Sequence, residues 1–160
     1  MYKTYEAIVQ LLKASGVPFT IHEHIPSYTV ADAEANLDFP LERLLKTIAF
    51  RMRSGGYILA AARGPDRIDY RKLAAACGTK RTEIFRLTPE EVAQTFNVEV
   101  GSVSPVLLQD GVRILFDSKV STDETVFCGI GRPDRTLEIQ LAELVQITQG
   151  QVLSLTSDEA

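Results

Sequence analysis

The chain has 160 residues, 45% of them hydrophobic and 24% charged, with a formal net charge of −4. That length suits one domain, 1–160, able to bury a core, and no low-complexity or Pro-rich tract marks disorder. No stretch approaches the ~20 apolar residues of a membrane span, the first residues lack the basic and apolar regions of a signal peptide, and the two cysteines, Cys77 and Cys128, are too few for a disulfide framework; these features predict a protein of the reducing cytosol, its cysteines serving as packing.

In chain order, Tyr5, Ile8, Val9, Leu11 and Leu12 recur near helical spacing over 2–14, and Gly16 with Pro18 supplies a stop, which predicts a first amphipathic helix. A strand follows, with Phe19, Ile21 and Glu23 alternating with Thr20, His22 and His24 until Pro26 limits it. Thr29 is placed to cap a short Ala-rich helix over 30–37, with Asp32 in its first turn where the helix dipole favours an anion. The runs 46–52 and 57–62 around Ser54-Gly55-Gly56 read as a β-hairpin. Residues 69–77 read as a helix ended by Gly78, and Thr88-Pro89-Glu90-Glu91 as a capping box opening a helix to Phe96. Apolar runs at 112–116, 125–128 and 136–141 predict three more strands, followed by a short helix at 142–145 and a strand-like 151–155. Short hairpins cannot cross over to a parallel neighbour, so the expected fold is mixed α/β (α+β) on a curved, largely antiparallel sheet.

The acidic average conceals a local bias. Between residues 41 and 86 stand eleven Lys or Arg and four Asp or Glu. That excess of seven positive charges is compatible with one face meeting the phosphates of an RNA end, and equally with a solvated surface.

Candidate chemistry is sparse. Lys46 opens a strand on the parity of Ile48 and Phe50; if that face packs inward, its ammonium sits at the rim of an apolar cavity, and otherwise it snorkels to solvent. Gly101-Ser102-Val103-Ser104-Pro105 forms a loop able to aim backbone N–H groups at an oxyanion, although Ser102 and Ser104 have no recognisable base nearby in sequence. His22 and His24 share a strand face at a spacing that can bind metal, but no third ligand is apparent and no metal or other cofactor is assigned; His24 is read as a hydrogen-bonding or stacking group near a pocket. Asp134 and Glu138 are the acidic candidates, and Glu138 has the parity opposite to Leu137, Ile139 and Leu141, so it faces outward if those three face the core.

Leu44-Leu45-Lys46-Thr47-Ile48-Ala49-Phe50, then Asp69-Tyr70-Arg71-Lys72-Leu73 leading to Gly78-Thr79-Lys80-Arg81, then the 101–105 loop, and finally Leu137-Glu138-Ile139-Gln140-Leu141 resemble the ordered blocks of the YbaK / prolyl-tRNA synthetase editing-domain superfamily. The resemblance spans nearly the whole chain. It implies a barrel-like antiparallel sheet surrounded by helices, and a trans-editing deacylase that removes a wrong, small amino acid from a tRNA, often tRNA(Pro), without metal. Its partner is then the acceptor end of an aminoacyl-tRNA, with a synthetase as a further candidate. Carried over, Lys46 is the family's functional lysine and Gly101 to Pro105 its Gly-x-x-x-Pro loop. Glu138 stands where relatives carry aspartate, His24 where some carry an aromatic residue, and both are assigned with Arg51 to substrate binding. Two other readings stay open: a tRNA- or synthetase-binding module of the same fold without turnover, and a hydrolase of small esters indifferent to Arg51, Arg53, Arg71 and Lys72.

Overall fold

The computed structural model describes residues 2–29, 31, 32, 35, 39–107 and 109–158. Helix α1 (Lys3–Ser15) buries Ile8 and Leu12 and stops where Gly16 adopts φ +74°, a left-handed conformation that glycine takes without a Cβ penalty. Strand β1 (Thr20–Glu23) follows. The helix expected over 30–37 lies largely outside the described residues, but its start shows the expected cap: the Asp32 N–H donates to Thr29 Oγ1 and the Tyr28 N–H to the Asp32 carboxylate, each at 3.0 Å.

The hairpin forms as β2 (Leu45–Met52) and β3 (Tyr57–Arg63), antiparallel from Leu45 opposite Arg63 to Arg51 opposite Tyr57. Helix α2 (Tyr70–Ala76) is capped by the Asp69 carboxylate, which accepts from the Arg71 and Lys72 N–H groups. A short strand β4 (Ile84–Arg86), which the sequence pattern does not announce, precedes α3 (Pro89–Phe96), whose capping box is complete. Strands β5 (Val112–Asp117), β6 (Thr125–Cys128) and β7 (Arg135–Gln140), helix α4 (Leu141–Thr148) and strand β8 (Gln151–Leu153) complete the order.

The strands make two sheets, a five-stranded one in the order β4-β2-β3-β5-β8 and a three-stranded one in the order β1-β7-β6. They curve without closing into a barrel. Four pairings are antiparallel, as expected, but β5 lies parallel to β3 and β8 parallel to β5. Those two pairs join distant segments, and the stretches between them, which carry α2 and α3 in one case and α4 in the other, supply the long crossovers a parallel pair requires.

The large sheet divides the interior. Strand β3 is buried on both faces, with Leu59 and Ala61 in a core shared with α1, α3, α4 and the small sheet, and Ile58 and Ala60 in a second core under Leu73 and Ala74 of α2. Burial on both sides explains its nearly continuous apolar run. Strand β2 splits the same way, Leu45 and Ala49 entering the first core while Ile48, Phe50 and Met52 enter the second. The sheets touch where Leu44 bridges Phe127, a contact covered by Phe39 stacked on Phe127 at 4.0 Å between ring centroids. Beyond that bridge, among the described residues, β2 and β6 do not pair.

Candidate active site

A cleft of about 640 Å³ is lined from the large sheet by residues around Lys46 and from the other side by Gly101, Ser102, Val103 and Gly129. Lys46 and Gly101 of the loop, 55 residues apart in sequence, therefore share one crevice. Ligand sites are commonly clefts of roughly this size.

Lys46 is half-buried, on the inward parity of Ile48 and Phe50. Its ammonium donates to the carbonyl of Gly64 at 3.1 Å and to that of Asp66. An ammonium has three N–H donors, so one stays available to a ligand. Burial lowers its pKa below the ordinary 10.5; the Asp66 charge opposes this, and Arg86 and Arg67 add to it. The carbonyls that hold it belong to a braced turn. Arg63 grips the buried Asp66 carboxylate with two bonds (2.7 and 3.1 Å), the Asp69 N–H donates to Leu155 O (2.8 Å), the Ser157 N–H donates to Arg67 O (3.0 Å), and Ile68 bridges Thr156. The buried Asp117 carboxylate anchors that brace by accepting from the N–H groups of Leu155 and Thr156 and from the Thr156 hydroxyl.

The loop is held from both sides. Gly101 has φ +81°, and a Cβ there would lie 2.0 Å from the carbonyl oxygen of Tyr28. On the far side the Gly131 N–H donates to Ser102 O (2.8 Å), and a Cβ on Gly129 would lie 2.5 Å from Val103 O. The N–H and the hydroxyl of Ser102 both donate to Glu99 O, at 3.1 and 2.7 Å, so neither is offered to a substrate. Ser104 and Pro105 are buried and absent from the cleft lining; the Ser104 hydroxyl accepts from the Val106 N–H. The N–H groups of Gly101 and Val103 have no acceptor among the described residues.

His24 lines the cleft and is fixed there: its Nδ1–H donates to Ile25 O, and its Nε2 shares a hydrogen bond with the Thr136 hydroxyl, both at 2.7 Å. Glu138 is not part of the lining. Leu137, Ile139 and Leu141 are buried as its parity requires, and the Glu138 carboxylate pairs with His22 Nε2 at 2.7 Å, next to Phe39 and Phe127. Arg51 also lies outside the cleft, exposed, its guanidinium 4.7 Å from the ring of Phe85. Among the described residues no three His, Cys, Asp or Glu gather as a metal site would require. Cys128 packs in the core, where burial pushes its thiol up to about 12.

The cleft also collects residues that sequence spacing does not single out. Lys46, Arg67, Arg86, Arg132 and Arg135 line it, and among the described residues no Asp or Glu does. Arg132 and Arg135 are held by Asp134, at 2.9 and 2.8 Å, whereas Lys46, Arg67 and Arg86 have no carboxylate partner among the described residues. The excess of basic residues at 41–86 was the only sequence signal for Arg67 and Arg86. The hydroxyls of Ser27 and Thr47, both in lining residues, are buried without a hydrogen-bond partner among the described residues.

The sequence pattern of the aminoacyl-tRNA editing domain matches residues 24–147. The chain belongs to that family. Relatives of this editing domain include the Bacillus subtilis (strain 168) protein YwhH, 29% identical over 126 residues that cover 79% of this chain and 78% of that one. The proline–tRNA ligase of Xylella fastidiosa (strain M12) is 36% identical over 91 residues, 56% of the editing domain's chain and 15% of the ligase, so the chain spans only a small part of such ligases. Among solved structures, one described as a candidate trans-editing enzyme for prolyl tRNA synthetase superposes with a TM-score of 0.79 at 22% identity, covering 98% of this chain and 99% of that one; at that identity the likeness is one of fold. No helix among the described residues is long and apolar enough to cross a membrane.

Proposed function

We propose that this editing domain is a trans-acting deacylase that hydrolyses the ester of a mischarged aminoacyl-tRNA, with a small amino acid as the group removed and tRNA(Pro) as the first carrier to test. The observation that carries the reading is the cleft itself, which joins Lys46 and the 101–103 loop beneath a set of cations with no lining carboxylate among the described residues. In an acidic chain such a cleft suits the phosphates of a single RNA end. The family and the ligase relatives direct the choice to tRNA and proline.

Lys46 positions the 3′-terminal adenosine and its ester through its remaining N–H, while the N–H groups of Gly101 and Val103 stabilise charge developing on the carbonyl oxygen. Water adds to that carbonyl, assisted by the substrate's 2′-hydroxyl. Collapse of the adduct breaks the ester C–O bond, leaving a free amino acid and a 3′-hydroxyl. An aminoacyl ester is already activated, so positioning together with donors worth roughly 3 kcal/mol each supplies a useful acceleration without a strong protein base. His24, tied to Thr136 and Ile25, shapes the wall that meets the amino acid.

The test is a panel of tRNA(Pro) and other tRNAs charged with Ala, Cys, Ser, Thr and Pro, assayed with the purified protein and with Lys46→Ala. At least one mischarged pair is expected to be hydrolysed, and Lys46→Ala to reduce that rate about 100- to 1,000-fold. Unchanged rates in the variant remove Lys46 from the mechanism. Salt-sensitive tRNA binding without amino-acid release identifies a binding module instead.

A further inference from the structure

Strand β2 has a stretch of edge that no other strand covers. Its bonds to β3 run through the even residues: the Met52 N–H donates to Gly56 O (3.0 Å) and the Gly64 N–H to Leu44 O (2.8 Å). In an antiparallel pair the intervening residues then point their N–H and C=O groups to the opposite side. There β4 takes up the odd residues from Ala49 onward, through Leu87 N–H to Ala49 O (3.0 Å) and Arg53 N–H to Glu83 O (2.9 Å). At Thr88 the chain leaves the sheet to start α3. At the other end the bridge of Leu44 with Phe127 is, among the described residues, the last strand pairing between the sheets. Between these limits the C=O of Leu45 and the N–H of Thr47 face the cleft, and no hydrogen bond among the described residues engages either. The buried hydroxyl of Thr47 likewise has no partner among the described residues.

An open strand edge is a template for a partner that brings its own donor and acceptor. Here the free pair is an acceptor at residue 45 and a donor at residue 47, on one side of the strand and flanking Lys46. The Watson–Crick face of adenine is its complement, because N6–H donates and N1 accepts, and bases freed from stacking are commonly read on that face. Cytosine carries the same pair at N4 and N3, whereas guanine, hypoxanthine and uracil present a ring N–H beside a carbonyl, the reverse arrangement.

We propose that the main chain at Leu45 and Thr47 reads the terminal adenine of the tRNA, Leu45 C=O accepting from N6 and Thr47 N–H donating to N1. The inference rests on the deacylase reading above, since the terminal adenosine bears the amino-acid ester and must therefore lie beside Lys46; that placement selects adenine over cytosine. Reading the base through backbone atoms leaves the Lys46 side chain and the 101–103 loop to the ester.

The test needs no turnover. Binding of AMP, 7-deaza-AMP, 1-deaza-AMP, IMP and CMP to the full chain is followed through its amide resonances by nuclear magnetic resonance. AMP and 7-deaza-AMP, which keep N1 and N6, are expected to bind alike and to shift the Thr47 amide, with 1-deaza-AMP and IMP weaker by about 10-fold or more, the value of one specific base contact. Equal binding of AMP, IMP and 1-deaza-AMP, stronger binding of CMP, a Thr47 amide unmoved at saturation, or no AMP binding at millimolar concentration each overturns the proposal. Thr47→Pro deletes that N–H at a position outside the β3 ladder, as edge strands tolerate. It is expected to keep its circular dichroism and lose the preference for AMP over IMP; retention of the preference overturns the proposal, and where this variant does not fold the nucleotide series on the unmodified chain decides. The deacylation panel judges the editing reading separately, so a chain that hydrolyses mischarged tRNA yet ignores the base analogues refutes the adenine contact alone.

Discussion

Gly101 and Lys46 show how single positions constrain this cleft. At Gly101 any side chain meets two obstacles, a positive φ and the Tyr28 carbonyl 2.0 Å from the new Cβ. Gly101→Ala is expected to lose about 2–4 kcal/mol of stability in urea denaturation, and to deacylate more slowly because the loop must withdraw from Tyr28. Lys46 gives a pH signature. Its pKa is lowered by burial, so a reaction that needs the ammonium fails at a pH below the 10.5 of an ordinary lysine. The rate, after subtraction of uncatalysed ester hydrolysis, is expected to fall on that alkaline limb, and Lys46→Arg, charged throughout, to flatten it at whatever rate remains. For stability the sign is the reverse of a salt-bridged lysine: the native state binds this proton more weakly, so the unfavourable contribution is full below the folded pKa and is relieved as pH rises from there to 10.5.

Elements whose signals are local were legible in the sequence. The α1 stripe, the hairpin around Gly55 and Gly56, and the Thr88–Glu91 box depend on neighbours within a few residues, and each appears where expected. The box gives a test confined to its own helix. Thr88→Ala should cost about 1 kcal/mol of stability and leave deacylation kinetics unchanged. The Glu91 carboxyl is held below its ordinary pKa by its bond from the Thr88 N–H, so that support is present above pH 4.5 and is lost as pH falls through the lowered value. Strand β4 escaped because three residues, two of them exposed, carry no period. The parallel neighbours of β5 escaped because pairing across a crossover leaves no trace in adjacent residues. In the cleft, Lys46 and the loop were legible as blocks of a resemblance, whereas Arg67, Arg86 and the bare edge at Thr47 exist only once distant segments meet. Glu138 had readable parity, but its partner His22 lies on another strand, opposite Thr136 in the β1–β7 register, and no local signal announces that pair.

For the molecule as a whole, charge placement outweighs net charge. The chain is acidic, yet three cations without a carboxylate partner among the described residues, Lys46, Arg67 and Arg86, line one crevice. Paired neutralisation by Arg67→Gln and Arg86→Gln should raise KM for aminoacyl-tRNA with little change in kcat. It should also reduce the dependence of log affinity on log salt by about 0.7–1 for each phosphate contact removed; an unaltered salt slope would place the RNA elsewhere.

The brace behind Lys46 has a temporal consequence. The turn that grips the ammonium is stitched to Leu155, Thr156 and Ser157, which are themselves pinned by Asp117. In synthesis, residue 46, its strand and its hairpin therefore precede by a long stretch of chain the residues that stitch them. Lys46 is latched only once residues 155–157 have joined the brace, and a cut in the chain ahead of Leu155 would unlatch the lysine.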